Sequence, residues 1–427
     1  MAKISFCTFG CKVNQYETER AAEQARLAGH QVVPWGEPAD VQIVHTCSIT
    51  ANAVRDGRAA LRGALKRRRD GGLVLATGCA ARTDASSLVP SPDVTVIEDL
   101  MEAVSGCGDA AVPPVEESRG DCLSCPSQRQ ARTRALVKIQ DGCRFRCAFC
   151  IVPQARPVES SRPVRDVVEE VRAYVALGHR EVVLTGVRIT GYRPEDAGRS
   201  GLEELIRRLG EVPGLARVRL TSLYPSEVRE GLLRAMAESP NACPHLHLAL
   251  QSGDDGILRR MRRAYTSARF LEVVEQARAI LPGVAITTDV IAGFPGETEE
   301  AFENTAAVMR RAAFSRAHVF TFSPRPGTAA AVMDGQVPRH VARERTRRLI
   351  QIAAETGRAY RQGLVGSVQR VIVEQQRAPG ILTGLTDSYV EVEFPAQDVL
   401  PGQEVKVSVT GVTEDGLTGV LAVANAA

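Results

Sequence analysis

The sequence predicts an α/β protein in three parts: an N-terminal parallel α/β domain over residues 1–103, a central partial (β/α)6 barrel over 131–364, and a C-terminal small all-β barrel over 365–427. Three observations carry this. Strand and helix patterns alternate at the start of the chain and again from Arg134 to Pro324. A Pro-, Ser- and Gly-rich stretch without periodicity, residues 104–130, separates them as a linker. Beyond residue 364 the texture changes to short β runs with Gly-containing turns.

In the first domain Lys3–Phe9, Val41–Thr46 and Leu73–Thr77 read as strands, and Asn14–Ala28, opened by an Asn cap, and Ala51–Arg69 as helices. Apolar strands alternating with helices imply a parallel sheet covered on both faces. The run Lys66-Arg67-Arg68-Arg69 reads as a solvated helix end before a phosphate contact. The central part offers six strands: Ala135–Gln140, Glu181–Thr185, Arg217–Leu223, His245–Leu250, Ala285–Ala292 and Ala317–Phe322. Amphipathic patterns such as Val164–Leu177 and Ala268–Ala279 lie between them. Six units make less than a closed eight-unit barrel, and chemistry belongs at the C-terminal strand ends. A long helix, Val337–Leu364, leads to β runs at Val368–Glu374, Tyr389–Phe394, Glu404–Thr410 and Gly419–Val423, the size and kind of OB-like nucleic-acid modules.

At 44% hydrophobic and 24% charged, composition is that of an ordinary globular protein. No stretch approaches the ~20 apolar residues that span a bilayer, and MAKISFCTFGCKVNQ lacks the apolar core of a signal peptide. The expectation is a cytoplasmic protein with no membrane partner. Net charge is +3, but residues 131–364 hold 36 Lys+Arg against 26 Asp+Glu, whereas 365–427 hold 3 against 8. A polyanion would therefore be held in the middle of the chain. An Arg-rich composition, with five lysines in all, explains the same surplus equally well.

Eleven cysteines are many for such a chain, and an odd number in a large protein argues against a disulfide framework. Cys122 and Cys125 resemble a metal pair, but no second pair lies nearby and they read as incidental. Cys143, Cys147 and Cys150 are different. Three thiolates on one loop can ligate three irons of a cubane cluster and leave the fourth open. An open iron can chelate the amino and carboxylate groups of S-adenosylmethionine, and an electron from the cluster then splits the sulfonium to an adenosyl radical. Phe149, one residue before the last Cys, is the usual aromatic of such a loop. A zinc site would need a fourth ligand close by, and an electron carrier a closed four-Cys site.

Beyond this loop the chain resembles the methylthiotransferase family over nearly its whole length. The resemblance rests on Gly10-Cys11-Lys12-Val13-Asn14, Thr46-Cys47-Ser48-Ile49-Thr50 and Thr77-Gly78-Cys79-Ala80. It extends to Cys243-Pro-His-Leu-His-Leu-Ala-Leu-Gln251-Ser-Gly, Thr288-Asp-Val-Ile-Ala-Gly-Phe-Pro-Gly-Glu297 and Phe322-Ser-Pro-Arg-Pro-Gly-Thr328. It implies a radical S-adenosylmethionine barrel in the centre, a C-terminal TRAM domain, and a second [4Fe-4S] cluster on Cys11, Cys47 and Cys79. Spacing alone does not group those three, although each follows a strand. Cys7 and Cys243 recur in the motifs without being expected ligands. The partners implied are tRNA, S-adenosylmethionine, and an external electron donor and sulfur source.

Cys-Lys-Val-Asn is similar to the subgroup acting on threonylcarbamoyladenosine beside the anticodon of tRNA. The isopentenyladenosine subgroup usually shows Gln-Met-Asn there, and the ribosomal-protein subgroup Ala-Lys-Asn. The chain departs from the family at His45, where Asn is usual, at Arg188, where His or a smaller polar residue is commoner, and at Ile97-Glu98-Asp99, in place of a Gly-Asn pair. Thr185 and Gly186 fall where the second strand of such a barrel binds the methionine amino group, and Gln251 and Asp289 at strand ends facing the presumed pocket. For each, turn hydrogen bonding is an equal reading. Arg156 and Arg162 read as phosphate or carboxylate grips or as surface residues, and Tyr192 as a base-stacking or core-edge aromatic. A non-catalytic, metal-dependent RNA-binding protein is the reading from a different class.

Overall fold

The computed structural model describes residues 1–89, 91–105, 133–396 and 398–422. Most of the expected linker, with Cys107, Cys122 and Cys125, lies outside the described residues.

The first body is a five-stranded, all-parallel sheet of β1 (Lys3–Thr8), β2 (Gln31–Val33), β3 (Ala39–Thr46), β4 (Arg68–Gly78) and β5 (Val94–Val96), in the order β2-β1-β3-β4-β5. Period-two alternation decides what each face buries. Ile4, Val41, Ile43 and Leu75 pack against Ala21 and Ala25 of helix α1 (Lys12–Leu27). Val44, Val74 and Ala76 pack against Leu61 and Ala64 of α2 (Ala51–Arg67) on the other face. Thr50 caps α2 through Ala53 N–H at 3.2 Å. The expected Asn cap is corrected: α1 opens at Lys12, and Asn14 sits inside its first turn. Its amide NH2 instead ties together the ends of two strands, donating to Phe9 O at 3.0 Å and Thr46 O at 3.1 Å. The basic run is largely paired, with Arg67 over the Trp35 ring, Arg68 on Asp93 and Arg69 on Asp40.

The central body carries β6 (Arg134–Asp141), β7 (Ser160–Ser161), β8 (Glu181–Gly186), β9 (Arg217–Leu220), β10 (Ser222–Leu223), β11 (His245–Leu248), β12 (Ala285–Ala292) and β13 (Arg316–Thr321). They form two four-stranded sheets, β7-β6-β8-β9 and β10-β11-β12-β13. The expected third strand is broken at Thr221, so β9 and β10 each bond within their own sheet, and a bridge between Val218 and Ala242 joins the two. The result is a partial barrel of six strand positions. Ala135, Val137, Ile139, Val182, Leu184, Leu246, Leu248 and Ile286 face an outer layer of helices, among them Val164–Ala176. The alternate residues face the hollow of the arc, where Tyr16 of α1 packs on Leu136 and Val183. The first domain is thus pressed into the concave side.

After the helix Arg339–Gln362, the strands β14 (Val368–Ala378), β15 (Ile381–Thr386), β16 (Glu391–Pro395), β17 (Glu404–Val412) and β18 (Leu417–Leu421) close a barrel in the order β14-β15-β16-β18-β17. Val371, Val373, Leu382, Val392, Phe394 and Val407 fill it. It docks at the N-terminal ends of the central strands. Arg217 donates to Leu385 O at 2.7 Å, Arg219 to Asp387 O at 2.8 Å, and Arg134 pairs with Glu374 at 2.9 Å.

Candidate active site

Because β1, β3 and β4 are adjacent and parallel, their C-terminal ends share one edge, and Cys11, Cys47 and Cys79 follow there. Close backbone approach is built in by glycine. A Cβ on Gly10, at φ +100°, would lie 2.7 Å from Cys47 Sγ. One on Gly78, at φ +92°, would lie 2.4 Å from Thr46 O. All three cysteines are free thiols. Burial pushes the Cys47 thiol up to about 11; the Ile49 N–H opposes this, and the nearby Cys79 and Cys11 raise it further. Cys79 is raised too, by burial first, with Arg156 opposing and Cys11 adding.

The second set lies on the loop after β6. Gly142 turns the loop at φ +74°, where a Cβ would collide with Val158 O. Backbone bonds pin it, from Cys143 N to Arg156 O at 3.2 Å and from Ala148 N to Met261 O at 3.0 Å. Burial pushes Cys150 up to about 12, the Val152 N–H opposes, and Cys147 and Cys143 add to the rise. Arg263 donates to Cys147 Sγ at 3.5 Å. Arg188, the departure from the family, stacks its guanidinium 4.3 Å from the Phe145 ring centroid and bonds Glu159 at 2.8 Å and Glu227 at 2.5 Å, so it clamps this loop.

Among the described residues no three His, Cys, Asp or Glu side chains are drawn together tightly enough for a single metal ion. A cubane asks for less convergence, since each thiolate bonds a separate iron. Two sets of three free thiols, one with a cation at a sulfur and one with a cradle that a Cβ would fill, fit such clusters.

A cavity of about 750 Å³ joins the three bodies. Cys11, Lys12, Cys47 and Cys79 line it from the first domain, Thr185, Gly186 and Thr221 from the central arc, and Glu374 and Tyr389 from the terminal barrel. Of the residues singled out in the sequence, Thr185 and Gly186 are therefore in the wall. Phe149 packs edge-on to Phe294 at 6.5 Å, beside the loop. Gln251 and Asp289 are not in the wall. The Gln251 backbone, at φ +64°, bridges to β12 by donating to Asp289 O and accepting from Ile291 N. The Asp289 carboxylate is 3.1 Å from His247 Nε2. Tyr192 is fully buried with its hydroxyl on Arg162 O at 2.6 Å, a core position and not a base-stacking one.

Arg156 and Arg162 are neither surface residues nor open grips. Arg162 bonds Glu170 at 2.5 Å and Lys138 O at 2.9 Å. Arg156 bonds Glu17 of α1 at 2.6 Å, Asp141 at 2.8 Å and Asn14 at 3.2 Å, riveting the first domain to the arc beside Cys79. Burial pushes the Glu17 carboxyl up, but Arg156, by hydrogen bond and charge, and Lys138 outweigh it and hold the group at about 2. A carboxyl whose folded pKa lies below its unfolded value stabilises the fold above ~4.3, and that stability is lost as pH falls toward 2. Thermal denaturation of Glu17→Gln should show about 3 kcal/mol less stability at neutral pH and a correspondingly flatter decline in acid. Sequence reasoning misses Arg263, which no motif marks, and finds Arg188 only as a departure from the family, without its clamp; only the fold brings the two to the loop.

The pattern of the Radical SAM superfamily matches residues 137–309, that of Uncharacterized protein family UPF0004 residues 3–97, and that of the TRAM domain residues 362–422. A "Threonylcarbamoyladenosine tRNA methylthiotransferase MtaB" of Thermotoga maritima is 36% identical over 98% of this chain and 96% of its own length. The relative of that name in Bacillus subtilis is 33% identical over 96% and 94%. A "tRNA-2-methylthio-N(6)-dimethylallyladenosine synthase" of Streptomyces viridosporus is 36% identical over 94% of this chain and 84% of its own. Among solved structures, the radical S-adenosylmethionine methyltransferase TsrM from Kitasatospora setae shares the fold, with a TM-score of 0.58 over 77% of this chain and 75% of that one at 16% identity. Fold and site thus define a radical S-adenosylmethionine enzyme. The chain belongs to the methylthiotransferase family, tRNA-modifying transferases that use [4Fe-4S] clusters and S-adenosylmethionine. Among the described residues no helix is long and apolar enough to cross a membrane.

Proposed function

We propose that this chain adds a methylthio group to C2 of N6-threonylcarbamoyladenosine next to the anticodon of tRNA, a reaction of the cytoplasm, where that RNA is. Cys143, Cys147 and Cys150 hold the cluster that cleaves S-adenosylmethionine, and Cys11, Cys47 and Cys79 hold the second. The observation that carries the reading is the opening of the Cys11, Cys47 and Cys79 edge into the cavity that Thr185 and Gly186 also line. When bound, these groups supply an adenosyl radical and a methylated sulfur. The chain's own part is placement. The edge of the first sheet presents one set of thiols toward the hollow of the arc, Arg156 and Glu17 fix that edge against the arc, and Arg188 and Arg263 hold the loop of the other set. Thr185, Gly186 and Phe149 contact the cofactor, while Gln251 and Asp289 shape the strand ends behind it. Residues 1–103, 131–364 and 365–427 act as cluster domain, radical barrel and TRAM domain, with 104–130 as linker. An external reductant and sulfur source complete the reaction.

Identity does not separate the substrates, at 36% for a relative of each kind. Two features favour threonylcarbamoyladenosine: the Cys11-Lys12-Val13-Asn14 motif, and the near end-to-end match to the two relatives of that name, 96% and 94% of their length against 84% for the Streptomyces relative. Mass spectrometry of tRNA nucleosides from a strain lacking the gene tests it. Loss of the methylthio-threonylcarbamoyl nucleoside is expected; its persistence while another methylthio nucleoside disappears would hand the substrate to the isopentenyl (dimethylallyl) reading.

A further inference from the structure

Lys12 opens α1 directly after Cys11 and is one of the residues that line the cavity. Cationic neighbours of that cavity are neutralised by carboxylates: Arg134 by Glu374 at 2.9 Å, and Arg156 by Glu17 at 2.6 Å and Asp141 at 2.8 Å. The one lysine inside the arc, Lys138, is 2.8 Å from Glu17 and 3.0 Å from Asp141. Lys12 has no ion pair or hydrogen bond through its ammonium among the described residues. Its charge instead bears on three groups of the interior, His245 on β11, His318 on β13 and the Tyr389 phenol of the terminal barrel. Burial, before any charge, holds both histidines in the neutral form. Glu374, the acidic residue that shares this cavity wall with Lys12, is engaged by Arg134. A half-buried cation without a counter-charge among the described residues, one residue from a candidate cluster ligand and lining a cavity, is a site for an anion supplied by the substrate.

The two acceptor nucleosides at issue differ in this respect. A threonylcarbamoyl group on N6 ends in a carboxylate; an isopentenyl group carries no charge. We propose that Lys12 is the specificity residue of this site, its ammonium binding the carboxylate of the N6 substituent while the adenine lies beside the Cys11, Cys47 and Cys79 edge. The assignment rests on the substrate reading given above. An isopentenyl acceptor in the same place would leave the ammonium desolvated and unpaired, so the same residue selects against it.

The test removes the charge from either partner. Three anticodon stem-loop RNAs are offered to anaerobically reconstituted enzyme: one with threonylcarbamoyladenosine, one with its neutral threonine amide, and one with isopentenyladenosine. The enzymes are wild type, Lys12→Gln, Lys12→Met and Lys12→Arg, and the readout is kcat/KM for methylthio product. Wild type should prefer the carboxylate to the amide by roughly ten- to a hundredfold, the range of a hydrogen bond to a charged group. Lys12→Gln and Lys12→Met should bring that ratio near one, and Lys12→Arg should restore most of it, because the two deletions remove a single interaction and do not add. The same ratio in RNA binding, read by fluorescence anisotropy, keeps the test independent of turnover if a substitution disturbs the neighbouring cluster. A wild type indifferent to the amide, or a Gln variant that keeps the wild-type ratio, overturns the proposal. So does an equal loss on all three RNAs, which would mark a backbone-phosphate contact. If wild type ignores the threonylcarbamoyl acceptor and modifies the isopentenyl one, the substrate reading itself falls. If it modifies the first and only the ratio fails to respond, Lys12 alone is wrong.

Discussion

Changing Cys143, Cys147 and Cys150 together to Ala should halve the iron of the anaerobically reconstituted protein, from about eight atoms per chain to about four, and abolish reductive cleavage of S-adenosylmethionine. The expectation follows from the separation of the two sets. One lies on the loop after Arg134–Asp141, the other on the edge of a different sheet, and no cysteine is shared. The loop does not depend on its thiols for its course. Gly142, the Cys143 N–H to Arg156 O bond and the Arg188 clamp hold it through backbone and neighbouring side chains, so the triple variant keeps the fold and loses only the ligands. The reciprocal change at Cys11, Cys47 and Cys79 should also leave about four irons but spare the cleavage while eliminating the methylthio product. Full iron retention in the first variant would refute the assignment of that loop, and full retention in the second that of the sheet edge.

The largest effect on stability is expected at Glu181. Its side chain is fully buried between Arg219, at 2.7 Å, and Arg217, at 3.5 Å, and both arginines reach on to the terminal barrel. Arg217 is completely enclosed and has Asp387 as its other partner, at 2.5 Å. Removing the carboxylate leaves two buried guanidinium groups with that single counter-charge between them. Breaking one side of a buried ion-pair network in this way costs about 3–5 kcal/mol. Glu181→Ala should therefore lower the cooperative unfolding transition, seen in denaturant titration, and speed proteolytic release of residues 365–427. A variant with the wild-type midpoint would show that the apolar contacts of the two bodies, not this network, hold them together.

Much of this architecture was legible in the sequence because the apolar strands are buried on at least one face. The sequence predicts the strand Ala285–Ala292 with its observed bounds, and the long Arg339–Gln362 helix to within two residues at each end. Short edge strands escaped. Gln31–Val33 and Val94–Val96 are too brief to show a period, and each pairs on one side only. The sequence predicts a third strand continuous through Leu223, since nothing in Arg-Leu-Thr-Ser-Leu marks the change of sheet at Thr221. Asn14 reads as a cap because its chemistry suits one; its partners, Phe9 O and Thr46 O, lie at the ends of two strands that only the fold brings together. The candidate site divides the same way. The cysteines announce themselves by spacing and motif, whereas Arg156 and Arg162 read along the chain as anion grips or surface residues, and only the fold supplies Glu17 and Tyr16 of α1 as their partners. Charge carries no periodicity, so a buried ion pair between distant segments leaves no trace along the chain.

The terminal barrel carries 8 Asp+Glu against 3 Lys+Arg, an odd balance for a module of nucleic-acid-binding size. Its docked position accounts for part of that surplus. Asp387 and Glu374 face inward on Arg217 and Arg134, where they neutralise the base of the catalytic arc. It follows that this module is not portable. Grafted onto an unrelated enzyme as an RNA-binding tag it would bare those carboxylates and repel the very polymer it was meant to recruit, while the donor enzyme, deprived of it, would keep uncompensated arginines at its base. Selection on either body is then selection on both, and the two should be exchanged between relatives only as a unit.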